Sequence, residues 1–575
     1  LEKEALPIHE SKKEGGIAAL LHRIWTYKLH YIIVIPAILL IVIFKIIPLL
    51  TGLYLPFVDY SFFRGLFSSP WVGMDNFTKL FQDPAFLNVF ENTWKMKISY
   101  LVVCGLTAFI LALALSGVRS KFLRNMFSTL FLIPYFLPAV VMAYIMMVVL
   151  SPKFSPFIST NIMILGNANF FLPVLIVVEV VKTCGIPIVV ALAAIGAKHQ
   201  AISKDAVQFS FMQMNVLPAL RAVAACMLIQ FSLLLSTDFE LVSSFLNPLV
   251  YEVGDTLDTF SYRMGLMNGG FSAASAVWFI QFIVHLVLAV LVYLLIRGIF
   301  IQDLFSRFEQ TSDIKAGNKG RSAIGLGIST LYSLIILLLL YILFIYPIIT
   351  PSTLGKSVWD VFSMWSFGGY LLINFAAVIV HLLITLTLAF PLTVRDLPGR
   401  NMYKAFLLIL LAIGPGVIHE YLFIKNLGMV NTFYPQLFLG FFSLISVFIL
   451  KSIFNSKHAG LKEAACIEGR GELYAFFYIF VPKVWKPLIA LGILQFVALW
   501  NSYTYSLLYI SSPNLFSPVM LFRTISLGGG KEGIPVGDPI ILQFGAIICL
   551  PSIILFLLFR KLLTAEVLIS PIRKS

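Results

Sequence analysis

The stretch YIIVIPAILLIVIFKIIPLLTG, Tyr31 to Gly52, runs for 22 residues with one charged side chain, Lys45. At about 1.5 Å of rise per residue a helix of this length crosses the roughly 30 Å hydrocarbon core of a bilayer. It has no polar face of the kind a soluble surface helix carries, and no apolar–polar alternation of the kind a membrane β-barrel strand needs. It reads as a transmembrane helix, and the chain repeats the pattern. Further apolar windows fall near 98–116, 126–150, 169–197, 219–237 and 273–296, and then near 323–349, 367–394, 405–424, 430–450, 487–510 and 538–559. The whole chain agrees with them. Its 575 residues are 59% apolar and 12% charged, with a mean hydropathy of +0.94, against roughly 45–50% and 25% in soluble domains. The expected fold is an all-α integral membrane protein with twelve transmembrane helices.

Between the sixth and seventh windows, Gln302 to Arg321 is polar, contains glycine and lacks an apolar period, as a surface linker does. The expected organisation is a tail (1–30), a six-helix half (31–300), a linker (301–322), a second six-helix half (323–563) and a short tail (564–575). The halves share landmarks: Pro218, Gln230-Phe231 and Pro248 recur as Pro482, Gln495-Phe496 and Pro513, at separations of 264 or 265 residues. Because each half holds an even number of spans, the two repeats point the same way and can be related by an axis along the membrane normal.

Orientation follows from the basic residues. With the amino terminus inside, inner segments hold 29 Lys and Arg and outer loops ten, leaving Lys45 and Lys182 within spans. Both termini are therefore expected in the cytoplasm. The net charge of +14 reads as topology rather than as a nucleic-acid surface. Of the five cysteines, Cys104, Cys184, Cys226 and Cys549 fall in apolar spans and Cys466 in a basic loop, so no disulfide framework or metal site is expected. The first thirty residues are polar and mixed in charge, without the apolar core and cleavage site of a signal peptide.

The loop KHAGLKEAACIEGRGELYAFFYIFVPKVWK, Lys457 to Lys486, separates the tenth and eleventh windows on the inner side. A helical stretch from Leu461 to Ile467 stops at Gly469, which suits a left-handed helix end, and a second segment resumes toward Pro482. Glu463, Ala464, Ala465, Gly469 and Val481-Pro482 stand as in the EAA loop, and with it the chain resembles the inner-membrane permeases of binding-protein-dependent ABC importers of type I. The resemblance narrows to carbohydrate permeases of the lipoprotein-linked oligosaccharide and aldouronate type through SPWVGMDNFTKLF (Ser69–Phe81), NPLVYEVGDTLDTFSYRMGL (Asn247–Leu266) and LWNSYTYSLLYI (Leu499–Ile510). It implies two permease halves fused in one chain of a bacterial cytoplasmic membrane, taking up oligosaccharides handed over by an extracellular solute-binding lipoprotein. It also implies that the EAA loop is a coupling helix docked on two cytoplasmic ATPase subunits, which hold the ATP and magnesium. The first half departs from this pattern, because His199, Gln200, Ala201 and Asp205 occupy the places of Glu, Ala, Ala and Gly ahead of Leu217-Pro218.

Enzyme signals are incomplete. Gly355-Lys356-Ser357 ends like a phosphate-binding loop, yet Thr350 stands where its first glycine belongs; the Gly528–Lys531 run lacks a following Ser or Thr. His419-Glu420 opens a zinc-protease pattern that Phe423 breaks. The chain carries no cofactor signature of its own. Arg395 to Arg400 (RDLPGR) faintly resembles a loop of ion-coupled major-facilitator transporters, the alternative reading, but the first-half loop GVRSKFLRN lacks it.

Charged and imidazole groups inside spans cost about 2.5–3.5 kcal/mol at a helix centre on insertion scales and so mark candidate sites. They are Lys45, Glu179, Lys182, His285, His381, His419 and Glu420, with Glu179 and Lys182 three apart on one helix face and able to pair. For sugar recognition, Trp500, Asn501, Tyr503 and Tyr505 combine aromatic faces with polar groups, although an interfacial aromatic belt has the same composition. Replacing His199 by Glu together with Asp205 by Gly is expected to raise the ATPase activity coupled to the chain, measured in proteoliposomes; unchanged activity contradicts a coupling defect in the first loop.

Overall fold

The computed structural model describes residues 22, 24–152, 155, 163–201, 210–299, 314, 319–350, 352, 357–361, 363–394, 397–412, 414–440, 443–457, 460, 474–527, 537–563 and 567–568. Among these the chain is helical apart from loops and one isolated bridge, Val58 to Trp71. Among the described residues nine helices are long and apolar enough to cross a membrane: Lys28–Phe57, Pro84–Gly117, Met212–Phe231, Phe271–Ile296, Lys319–Ile349, Met364–Thr393, Tyr434–Asn455, Ala475–Trp500 and Pro539–Leu562. Two further helix pairs are apolar and long enough only when taken together and are bent at their joint, Lys121–Phe136 with Ala139–Leu150 at 96° and Ala168–Thr183 with Gly185–Gln200 at 45°.

The ninth expected span, 405–424, departs from the sequence expectation. It is divided into Arg400–Ala412 and Val417–Asn426 around Gly414-Pro415-Gly416, and neither piece alone is long enough to cross. Proline removes a backbone donor and clashes with the preceding turn, and the flanking glycines weaken the helix further. The 96° bend has the same origin, since Pro134 stands second in a short 3₁₀ turn, Ile133–Phe136, and Pro138 follows it directly ahead of the next helix. Gly185 lets the next bent pair approach this corner: a Cβ there would stand 2.3 Å from the Phe131 carbonyl oxygen.

Four helices carry a widened, π-helical turn directly ahead of a proline. The segments are Val42–Ile46 before Pro48, Met212–Val216 before Pro218, Tyr341–Ile345 before Pro347 and Ala475–Phe480 before Pro482. In each case the residue four before the proline lies inside the widened turn, where the extra residue relieves the ring's clash with that carbonyl. Pro248 and Pro513 likewise each open a 3₁₀ turn, Pro248–Val250 and Pro513–Leu515. The prolines that recur in the sequence thus bend the backbone in the same manner at both places.

Two pairs of long helices that are far apart in sequence pack against each other. Lys319–Leu340 packs along Pro84–Gly117, and Lys28–Ile41 packs along Met364–Ala389. The first contact is a backbone approach at Gly325, where a Cβ would stand 2.2 Å from the Ala114 carbonyl oxygen. Close approach through small residues is how helices gain van der Waals contact in lipid, where no hydrophobic force draws them together. The second contact stacks the His30 ring on Phe390 at 4.7 Å and joins Tyr31 Oη to the Pro398 carbonyl at 2.8 Å. Both large apolar clusters mix the halves, one holding Cys104, Phe131, Ile336 and Trp500, the other Tyr144, Leu343, Phe522 and Ile548. Gly325→Val is expected to cost about 1–3 kcal/mol by overpacking, seen as a lower melting temperature in detergent, while Gly327→Ala, with nothing within 4 Å, leaves it unchanged or raised. Equal melting temperatures for the two variants contradict the packing.

Candidate functional site

The helix Leu217–Phe231 does not continue to the end of the expected fifth span. It unwinds through Ser232–Asp238 before the short helix Phe239–Phe245. Unwound backbone shielded from water needs polar partners, and three side chains from neighbouring elements supply them. Asp258 Oδ2 accepts from the Thr237 backbone N–H at 2.7 Å and from the Ser236 and Thr237 hydroxyls at 3.3 Å. Gln281 Nε2 donates to the Leu235 carbonyl at 2.7 Å and to Asp258 Oδ1 at 3.0 Å, and His285 Nε2 accepts from the Leu235 N–H at 3.3 Å.

Across from this turn stands the other interruption, Gly414-Pro415-Gly416. Gly416 lies flat on Trp278, so close that a Cβ would stand 2.4 Å from the indole. Trp278 also meets His419 edge-on at 4.6 Å, and His419 Nε2 bonds to Ser275 Oγ at 2.9 Å. Between the two unwound segments lies a cavity of about 350 Å³. Its walls pair aromatic faces, Tyr262, Trp278 and Phe282, with polar groups, Thr237, Ser261, Asp258, Gln281, His285 and Thr504, drawn from both halves of the chain. Such a lining stacks on C–H surfaces while satisfying hydroxyls.

A second polar joint closes the chain beside the cavity. Glu240 Oε1 accepts from Ser502 Oγ at 2.5 Å, the backbone N–H groups of Tyr503 and Thr504 at 2.9 and 3.0 Å, and Thr504 Oγ1 at 2.6 Å. One carboxylate of the first half thereby holds the start of the helix Thr504–Tyr509 in the second. Burial raises the Glu240 carboxyl above the ordinary range, and the Ser502 and Thr504 hydroxyls pull it back down.

The residues expected along the pathway are placed differently from the cavity wall. Trp500 is fully enclosed and donates its indole N–H to the Ile548 carbonyl at 2.8 Å. Asn501 bridges Phe136 O and Ser552 Oγ at 2.9 and 2.8 Å. Tyr503 is also enclosed, its hydroxyl 2.5 Å from Ser243 Oγ, and Tyr505 packs near Tyr509 with ring centroids 6.5 Å apart. Of this stretch only the intervening Thr504 reaches the cavity. Lys182 pairs with Asp238 at 2.6 Å rather than with Glu179, which is buried on the same helix. Lys45 and Glu420 form an ion pair at 2.7 Å that links the first helix to the divided ninth span.

Glu463, Ala464, Ala465 and Gly469 of the EAA loop, and Asp205 of its first-half counterpart, lie outside the described residues. Pro482 stands second in its helix, as does Pro218. His199 Nε2 bonds to Asn215 Oδ1 at 3.2 Å, Asn215 Nδ2 donates to Ser116 Oγ at 3.0 Å, and Ala201 ends the helix Gly185–Ala201.

No family model matches the chain. Among curated proteins it is similar to the polygalacturonan/rhamnogalacturonan transport system permease protein YteP of Bacillus subtilis, 30% identical over 285 residues, which cover 88% of that protein and 47% of this chain. The chain belongs to the permeases of ABC sugar-transport systems. The protein LplB of Bacillus subtilis is 29% identical over 300 residues, 93% of its length but 50% of this permease. The arabinooligosaccharides transport system permease protein AraQ of Halalkalibacterium halodurans is 27% identical over 211 residues, 73% of its length and 36% of this permease. The crystal structure of a bacterial ABC transporter involved in the import of the acidic polysaccharide alginate has a chain 26% identical, covering 49% of this permease and 99% of that chain, with a TM-score of 0.43. Nearly whole relatives thus account for only half of this permease, which is about twice their length. Glu240→Ala leaves the donors of Ser502–Thr504 without their acceptor, at about 1–3 kcal/mol for each group that stays buried and unpaired. The permease variant is expected to melt well below the wild type and Glu240→Gln, which keeps an acceptor, in between; a melting temperature for Glu240→Ala equal to the wild type contradicts the joint.

Proposed function

We propose that this one chain forms the complete membrane pathway of an ATP-driven oligosaccharide importer, with the cavity between its halves as the passage for the saccharide. The observation that carries the reading is a polar and aromatic cavity enclosed by two unwound spans, one from each half. In this reading residues 31–300 and 323–563 are six-helix repeats related by an axis along the membrane normal, joined by the linker 301–322, with the tails 1–30 and 564–575 in the cytoplasm. The recurring proline devices support that arrangement, as do relatives that each fill half the chain.

Two cytoplasmic ATP-binding subunits supply hydrolysis, with ATP and magnesium bound in them. Glu463, Ala464, Ala465 and Gly469 dock on one, Pro482 fixing the helix behind them. The degenerate His199, Ala201, Asp205 and Pro218 loop faces the other, which makes the coupling asymmetric. An extracellular solute-binding lipoprotein delivers the saccharide. Closure of the ATP-bound pair favours one of two arrangements of the halves, and the energy available to the transport step is the difference in its affinity for the two. Rocking of one half against the other then exposes the cavity to each side in turn. The relatives' substrates span charged and neutral saccharides, from polygalacturonan and rhamnogalacturonan to arabinooligosaccharides and, for the Streptomyces coelicolor protein NgcG, diacetylchitobiose.

The ion-coupled alternative loses its footing with membership of the ABC permeases. Affinity purification of the tagged chain in mild detergent is expected to recover an ATP-binding subunit, identified by mass spectrometry, that Glu463→Ala and Gly469→Trp lose while remaining folded. Recovery unchanged by both variants contradicts the coupling role of the loop.

A further inference from the structure

The charge pattern around the cavity bears on what kind of saccharide it accepts. No Lys or Arg belongs to its wall among the described residues, and its ionisable groups are Asp258, His285 and Tyr262. His285 Nε2 accepts a backbone N–H, so that ring is the neutral tautomer protonated on the other nitrogen. Cations on the surrounding elements are directed elsewhere. Lys182 is paired with Asp238, Arg263 with Asp255, Lys97 donates to Gln230 Oε1, and Arg523 lies over the Tyr503 ring at 5.0 Å.

Asp258 is the one carboxylate on the wall, and its two oxygens are used unequally. Oδ2 takes the Thr237 N–H and the hydroxyls of Ser236 and Thr237, whereas Oδ1 takes only Gln281 Nε2, at 3.0 Å. An ionised carboxylate offers about four lone-pair sites, so Oδ1 has capacity left for a hydroxyl donated from the cavity. A hydroxyl-bearing neutral sugar satisfies that oxygen. A uronate brings a second negative charge beside Asp258 against a wall that holds no Lys or Arg among the described residues, where desolvation and like-charge repulsion act in the same direction.

We infer that the cavity selects neutral saccharide units over uronates, with Asp258 as the residue that sets the discrimination. The inference rests on the cavity being the saccharide passage. Gln281 and Thr237 position the carboxylate, and Trp278 provides the stacking face.

The test uses a matched pair of probes, α-1,4-galactotriose and trigalacturonate, which differ only in carrying CH₂OH or carboxylate at C6. Binding of each to the full chain in nanodiscs at pH 7 is titrated by saturation-transfer NMR. Galactotriose is expected to bind at least tenfold more tightly. Asp258→Asn is expected to narrow the difference to below threefold by strengthening trigalacturonate, and Trp278→Ala to weaken both sugars at least fivefold. If Asp258→Asn does not fold, the matched pair on the wild type decides. Trigalacturonate binding as tightly as galactotriose, at a site that Trp278→Ala abolishes, overturns the selectivity while leaving the passage in place. Binding of neither sugar, or binding indifferent to Trp278→Ala, overturns the passage itself.

Discussion

In hydrocarbon every backbone N–H and carbonyl must find a partner inside the protein, because no water is present to supply one. Continuous helices meet this requirement locally. The chain departs from them at Ser232–Asp238 and Gly414–Gly416, and it turns again at Asn501–Tyr503 before the helix Thr504–Tyr509. The first and last of these breaks are held by carboxylates from other segments, Asp258 at one and Glu240 at the other. The middle one is covered by the face of Trp278. Because these supports come from distant parts of the sequence, the breaks gather around a common space, and the cavity is the consequence.

The same supports explain why the two halves do not behave as separate bundles. Gly325 packs on Ala114 and His30 stacks on Phe390, contacts that tie distant parts of the sequence together. The Glu240 joint and the Lys45–Glu420 pair add polar ties across the middle. Removing one partner of such a tie leaves the other buried without compensation, which is costlier than the tie is favourable.

Much of the helical framework was legible in the apolar runs, because a bilayer demands them in every span regardless of tertiary context. The recurring prolines were legible as well, and the widened turns ahead of Pro218 and Pro482 give those residues a mechanical meaning. The divided ninth span was missed although Gly414-Pro415-Gly416 announces it, since a twenty-residue hydropathy window averages over a three-residue break. Trp500 and Tyr503 combine aromatic faces with nearby polar groups, but composition does not say which face turns toward a cavity, and both are enclosed. Asp258 lies in the Asn247–Leu266 stretch that carries the resemblance and Gln281 in an apolar helix, but their roles come from contacts with a turn more than twenty residues away. The Glu179–Lys182 spacing favoured a pair on one helix, yet Asp238, freed by the unwinding of the fifth span, lies closer to Lys182.

The central claim is that a single copy of this chain supplies both halves of the passage. Native mass spectrometry of the complex purified from membranes measures that directly. The account predicts one copy of the 64.3 kDa chain together with two ATP-binding subunits. A complex holding two copies of the chain would contradict it, since the passage would then form between chains rather than within one.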